Sequence, residues 1–286
     1  MHPICATCGT QFAATVHPPE RCPICDDERQ FVGWAGQRWT TLDGLRATHR
    51  LAVRDQGDGL LGLGIEPHFA IGQRALLVPA GATLAASGGG DARPGGGRNN
   101  LLWDCISLID DAAVRLVEAL GGLSAIAISH PHYYSSMAEW SQAFGGVPIY
   151  LHAADREWVM RPDPAIVFWE GDALEIGPGL TLLRLGGHFA GGTVLHWMRG
   201  AAGRGVLLTG DILQVMQDRR WVSFMYSYPN YLPLPAATVR AMVGRLEPYP
   251  FERVYGAWFD AVVREDGKGA VRRSAERYVR ALEGGA

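Results

Sequence analysis

Apolar residues recur along this chain in short runs broken by glycine, and the period of the runs changes as the chain proceeds. Leu51–Val53, Leu60–Ile65, Ala75–Val78 and Leu101–Trp103, with glycine-bearing turns between them, predict strands of one sheet. Past Asp110 and Asp111, either of which can cap a helix, Ala113, Leu116, Val117 and Leu120 fall at helical spacing, and Gly121-Gly122 stops that helix. Ala125–Ile128 then predicts a brief buried strand. Met137, Trp140 and Phe144 mark a second helix face, and Val147–Leu151 another strand. Further strands are expected at Leu180–Leu185, Thr193–Trp197 and Val206–Leu208. A helix over about Pro235–Leu246 carries proline near its first turn. In the last helix Val271, Ala275, Tyr278, Val279 and Leu282 line one side, with four arginines opposite. Strands alternating with helices in both halves predict a layered α/β or α+β domain. Ser87 to Asn99, dense in glycine and without period, reads as a mobile surface loop; it lacks the lysine and strand context of a phosphate-binding loop.

The first forty residues follow a different rule. Cys5-Ala-Thr-Cys8 and Cys22-Pro-Ile-Cys25 are two Cys-x-x-Cys turns separated by a short loop, a spacing that lets four thiolates converge on one metal ion. A disulfide framework competes, and the lack of a secretory signal weighs against it. Gly9 after Cys8 suits a turn that presents backbone N–H groups to the sulfurs. The segment resembles a rubredoxin-type knuckle or zinc ribbon, with Asp26 where a rubredoxin carries glycine. That departure favours structural zinc over electron-carrying iron, and the metal would supply the folding energy of a unit too short to build a core. Two units are therefore expected: residues 1–40 as the four-cysteine knuckle and hinge, with a docking strand within Phe31–Thr41, and residues 41–286 as the larger domain.

Composition narrows the function classes. The 286 residues carry 26 basic and 29 acidic side chains, a net charge of −3, which offers no general attraction to nucleic acid. A cytoplasmic protein is expected, because the start has no basic stretch leading into an apolar one and no run of about 18 apolar residues suggests a membrane span.

Among nine histidines and five cysteines, a few stand at strand ends. The strand Ala125–Ile128 runs into Ser129-His130-Pro131-His132-Tyr133-Tyr134-Ser135, Leu180–Leu185 into Gly186-Gly187-His188, and Val206–Leu208 into Thr209-Gly210-Asp211. Three neutral imidazoles and a carboxylate held at the ends of rigid strands form a suitable ligand set for zinc or ferrous iron. His-x-His, then Gly-His-x-x-Gly-Gly, then Thr-Gly-Asp, in that order, resembles the metallo-β-lactamase superfamily over roughly residues 42–286. Asn100–Cys105 also resembles that family's strand before its first helix. The resemblance implies an α+β, four-layer αββα sandwich with the metal site at one edge of the sheets. It implies that His130, His132 and His188 hold the first metal and that Asp211 is the carboxylate that usually bridges two.

The chain departs from the family motif His-x-His-x-Asp-His at Tyr134 and Ser135, and Ala257 and Trp258 stand where a late histidine is expected. All three departures remove ligands of a second metal, so the resemblance implies a mononuclear centre. Catalysis on one ion would leave Asp211 as a ligand or as general base, and Tyr133 or Tyr134 either as an oxyanion donor or as filler of the lost site's volume. Trp221, Phe224, Tyr226 and Arg219, which follow Asp211, together with Trp258, suit a pocket wall for an apolar or anionic small-molecule substrate. The same composition suits a homodimer contact. His152 reads as a local cap, His196 as a packed strand residue and Cys105 as a buried structural thiol. The expected activity is water attack on an ester, lactone, thioester or amide carbonyl. The alternatives are a degenerate binding or scaffold protein and an iron-dependent redox protein.

Overall fold

The computed structural model describes residues 1–80 and 100–285, so the glycine-dense Ser87–Asn99 stretch lies outside the described residues. At the N-terminus β1 (Ile4–Cys5) pairs antiparallel with β2 (Trp39–Thr40), and the short helix α1 (Pro23–Asp26) lies between them in sequence. Thr41 caps α2 (Leu42–Thr48), its hydroxyl accepting from the Gly44 N–H at 3.1 Å. With few apolar positions, α2 has no helical signature in the sequence.

Seven strands form the first sheet, in the order β3 (Arg50–Gly57), β4 (Leu60–Glu66), β5 (Ala75–Pro79), β6 (Asn100–Trp103), β7 (Leu123–Ala127), β8 (Ile149–His152) and β9 (Ile166–Trp169). The first four pair antiparallel and the rest parallel. The crossovers carry α3 (Asp111–Ala119), capped by Asp110 through the Ala113 N–H at 2.8 Å, and α4 (Met137–Ala143). β10 (Ala173–Gly177), β11 (Leu180–Arg184) and β12 (Thr193–Trp197) begin the second sheet, and the short turn α5 (Gly200–Gly203) leads into its next strand, β13 (Val206–Gly210). Two hairpins follow, β14 (Gln214–Val215) with β15 (Val222–Ser223) and β16 (Met225–Ser227) with β17 (Leu232–Pro233). After α6 (Ala236–Leu246), β18 (Arg253–Gly256) and β19 (Val262–Val263) complete the second sheet, and α7 (Gly267–Leu282) ends the described chain.

The period-two alternation of the strands explains the layers. In β6, Leu101 and Trp103 face inward, joining Val206 and Leu208 of β13 in a core between the sheets, while Leu102 points out to α3 and α4. In β13, Leu207 points the other way, toward Val239 and Met242 of α6 and Val271 and Val279 of α7. Helices, sheet, sheet, helices is the αββα sandwich. Among the described residues no helix is long and apolar enough to cross a membrane.

Candidate metal centres

Four cysteines and, separately, three histidines with an aspartate form the two ligand clusters among the described residues. In the first, Cys5 and Cys25 hold their sulfurs 3.6 Å apart, and Cys8 and Cys22 3.8 Å. Two sulfurs each about 2.3 Å from a tetrahedral ion stand about 3.8 Å apart, so the spacing suits one metal and is far too long for a disulfide. Gln37 donates from Nε2 to Cys5 Sγ at 3.2 Å. Gly9 does something other than expected: its N–H bonds the Cys5 carbonyl at 2.8 Å, and its left-handed backbone lets the turn dock on Ser107. A Cβ there would stand 2.4 Å from Ser107 Oγ, which donates to the Gly9 carbonyl at 2.8 Å.

The second cluster lies where strands of the two sheets end. His130 follows β7, His132 sits in a single turn of 3-10 helix (Pro131–Tyr133), His188 follows β11 and Asp211 follows β13. All four are buried, none more than 5% exposed. Gly210 is required by the approach of β13 to Ser129 and Asp104: a Cβ at its φ of +53° would stand 2.6 Å from Ser129 Oγ.

Hydrogen bonds set the ring tautomers. The Tyr226 carbonyl, 2.7 Å from His188 Nδ1, can only accept, so Nδ1 carries the proton and Nε2 keeps a lone pair. The Ser129 hydroxyl donates to Asp104 Oδ1 at 2.7 Å, which leaves its oxygen to accept from His130 Nδ1 at 2.9 Å. His188 Nε2 faces His132 Nδ1 at 3.3 Å, the separation of two nitrogens each about 2.0–2.1 Å from one tetrahedral ion. His130 Nε2 approaches Asp211 Oδ1 to 2.9 Å, but as a close approach and not an aligned hydrogen bond: both atoms, like His132 Nε2, are buried without a partner. Buried polar atoms left unpaired are costly, and here His130 Nε2 and Asp211 Oδ1 face each other beside His132 Nδ1 and His188 Nε2, as ligands of a cation would.

Charge agrees with geometry. Burial pulls His132 well below its ordinary value and His188 down to about 4. Burial alone would raise Asp211, yet His130, His188 and His132 outweigh it and hold the carboxyl well below the usual range. Burial would also lower His130, but Asp211 above all keeps it raised. Neutral imidazoles and an ionised carboxylate are the forms that bind metal, so His132, His188 and Asp211 are already in that form, while a cation at the site would have to displace the proton that Asp211 favours on His130.

The residues around the centre sort differently from the sequence reading. Tyr133 donates to the Ala257 carbonyl at 3.2 Å and Tyr134 to the Asp155 carbonyl at 3.3 Å. Both rings belong to the core outside the first sheet, so each phenol proton is already engaged. Phe224 is wholly buried beneath α7, with Tyr278 5.7 Å away edge-on, and is core instead of pocket wall. Trp221 is stacked under Arg277 of α7, and Arg219 bonds the Met216 carbonyl. Trp258 is partly buried between the two outer cores. In that segment Tyr226 is tied to His188 through its carbonyl, and Tyr228 donates its hydroxyl to the Asp211 carbonyl at 2.7 Å. His152 caps its own turn by accepting from the Ala154 N–H at 3.2 Å, His196 lies against the Pro250 carbonyl at 2.7 Å, and Cys105 is buried with its thiol pushed up by burial.

Several contributors had little or no sequence signal. Gln73 donates to Asp211 Oδ2 at 3.1 Å from a stretch without a motif. Asp104 accepts both the N–H and the hydroxyl of Ser129, and burial raises it to about 7. The cation that reaches the centre is Arg29, from the N-terminal segment and not the Asp211–Leu234 stretch: its Nη1 lies 3.4 Å from the His188 carbonyl.

No protein-family model matches the chain. It is 48% identical over 281 residues to the uncharacterized protein YmaE of Bacillus subtilis (strain 168), an alignment covering 98% of this chain and 96% of that one. Among solved structures, VMB-1 superposes with a TM-score of 0.55 at 13% identity, covering 82% of this chain and 98% of that chain. DIM-1 metallo-β-lactamase does so with a TM-score of 0.53 at 11% identity, with the same coverage of both chains. Such identities speak for the fold alone. The chain therefore belongs to one family with YmaE, and its four-layer sandwich is the metallo-β-lactamase fold, with a histidine–aspartate cluster at the sheet edge and a four-cysteine cluster at the N-terminus.

Proposed function

We propose that this protein is a hydrolase that uses one metal ion at His130, His132, His188 and Asp211 to open an ester, lactone, thioester or amide carbonyl of a small molecule. The observation that carries it is the convergence of unpartnered buried donor atoms, His130 Nε2 and Asp211 Oδ1 foremost, beside the facing His132 and His188 nitrogens. Bound there, a divalent cation supplies Lewis acidity, polarising an acyl oxygen and making water nucleophilic near neutral pH. Gln73 fixes Asp211 Oδ2 and so aims Oδ1, the atom that joins the ligand set or takes the proton of the attacking water. General base action of that kind contributes about 10²–10⁴-fold.

One ion is favoured because the positions of the family's second ligand set carry Tyr134, Ser135 and Ala257, and the one phenol among them is already committed to a backbone carbonyl. Tyr134 is committed to Asp155, and Tyr133 to the backbone of Ala257. On this reading the tyrosines fill volume and carry no proton to substrate. The four cysteines hold a structural zinc, and the protein works in the cytoplasm.

Elemental analysis of protein purified without added metal tests the metal count: about two ions per chain is expected, and about three would overturn the single-ion reading. His132→Ala and Asp211→Ala should each abolish turnover across an ester, lactone and thioester panel and remove one ion, while the cysteine-bound ion stays. A second reading, a binding protein without turnover, draws on the burial of all four ligands. It is favoured if a fully loaded protein stays silent across that panel. A visible ferric tetrathiolate band would speak instead for iron in the knuckle.

A further inference from the structure

We propose that Arg29 ties the two metal sites together, as a positioning residue through which a filled four-cysteine site steadies His188 as a ligand. The proposal rests on reading the histidine cluster as a metal centre and goes beyond it, because it gives the knuckle a role in that centre's affinity.

The connection is short at every step. The turn that bears two of the cysteines is closed by the Cys25 and Asp26 N–H groups on the Cys22 carbonyl, each at 2.9 Å, and by the Asp27 N–H on the Pro23 carbonyl at 3.3 Å. Asp27 ends that turn and grips Arg29 with both carboxylate oxygens, at 2.5 Å to Nε and 2.8 Å to Nη2. The fork geometry fixes the guanidinium plane as well as its position. From there Arg29 meets His188 in three ways. Nη1 points to the His188 carbonyl at 3.4 Å. The guanidinium lies 4.1 Å over the ring of Phe189, the next residue. It also lies 5.3 Å over Tyr226, whose carbonyl accepts the His188 Nδ1 proton. Phe189 in turn sits 5.0 to 5.5 Å from all three liganding rings, so it cannot shift without disturbing them.

The docking that holds this arrangement is independent of Arg29. Asn230 donates to the Glu28 carbonyl at 2.8 Å, and the Gln11 N–H donates to the Ser135 carbonyl at 2.9 Å. Cys8 and His132 line the same small cavity, with room for about 20 Å³. An empty cysteine site would loosen the Cys22–Cys25 turn, and with it the anchor of Arg29. Groups that orient metal ligands from behind are worth about 10–100-fold in affinity. Because coupling is reciprocal, filling the histidine site should tighten the cysteine site by the same factor.

Cobalt(II) titration of the metal-free full chain separates the sites, since thiolate ligation gives intense near-ultraviolet charge-transfer bands and the histidine site only weak visible ones. Arg29→Gln should weaken the histidine site about tenfold or more and alter its visible band, with the charge-transfer titration of the cysteines retained. Arg29→Lys, which keeps the cation over Phe189 but not the fork with Asp27, should fall between. Wild-type affinity and an unaltered visible band in Arg29→Gln would overturn the coupling. A loss of thermal stability with both site spectra unchanged would overturn it too, showing a merely structural role. If the wild-type histidine cluster itself takes up no cobalt, the metal-centre reading fails first and the coupling falls with it.

Discussion

His188 shows how burial and a single hydrogen bond decide what a residue can do. With its Nδ1 proton given to the Tyr226 carbonyl and its ring wholly enclosed, it titrates at about 4 in the folded chain and near 6.5 once unfolded. Between those values the unfolded chain binds more protons than the native one, so stability falls as pH drops through the window from about 6.5 to about 4. The neighbouring His130 has the opposite sign: its value is raised, so its contribution is present below about 6.5 and fades as pH climbs through its raised folded value. In the metal-free protein, unfolding free energies from urea titrations across pH 4 to 7 should therefore fall toward the acid end, by up to a few kcal/mol from His188 at about 1.4 kcal/mol per unit. His188→Gln should flatten that slope, and an unchanged slope would remove His188 as its source. His130, His132, His188 and Asp211 were legible as candidates because each follows a strand, where position in sequence implies position in space. Gln73 and Arg29 were not, because their roles depend on packing against residues more than a hundred positions away.

At the scale of elements, period and punctuation carried much of the sandwich. Asp110 caps α3 and Pro235 precedes α6, much as expected, since capping chemistry is local. The strands β9 and β10 and the helix α2 lacked a clear pattern, being short or half exposed. The Asp211–Leu234 stretch shows the limit from the other side: aromatic content does not say which way a ring points. Phe224 turns under α7 into the core outside the second sheet. Phe224→Ala should then cost about 3–5 kcal/mol in denaturant unfolding while leaving the metal content of both sites unchanged. A small stability loss with a large rise in KM would instead return Phe224 to the pocket.

For the whole molecule, the N-terminal forty residues are an integral wall of the structure. Two short strands, a 4-residue helix and a cluster built mainly of the cysteines with Phe12 and Ile24 are little core, so the metal proposed for the four cysteines would supply much of their folding energy. Stripping that ion with a strong chelator should lower the melting temperature and expose the stretch from Ala6 to Arg38 to protease before the sandwich is cut. Equal protease resistance with and without metal would show that docking alone suffices.

Both candidate ligand clusters and the layered architecture could be read along the chain alone, because Cys-x-x-Cys spacing, strand-end histidines and alternating apolar positions are local patterns with local geometric consequences. Tertiary structure alone decided where the tyrosine hydroxyls, Phe224 and Arg29 go, and that the first forty residues lie against the histidine centre. Those outcomes depend on which surfaces meet across the sandwich and on which buried polar atoms find partners there, and neither is written in any single stretch of chain.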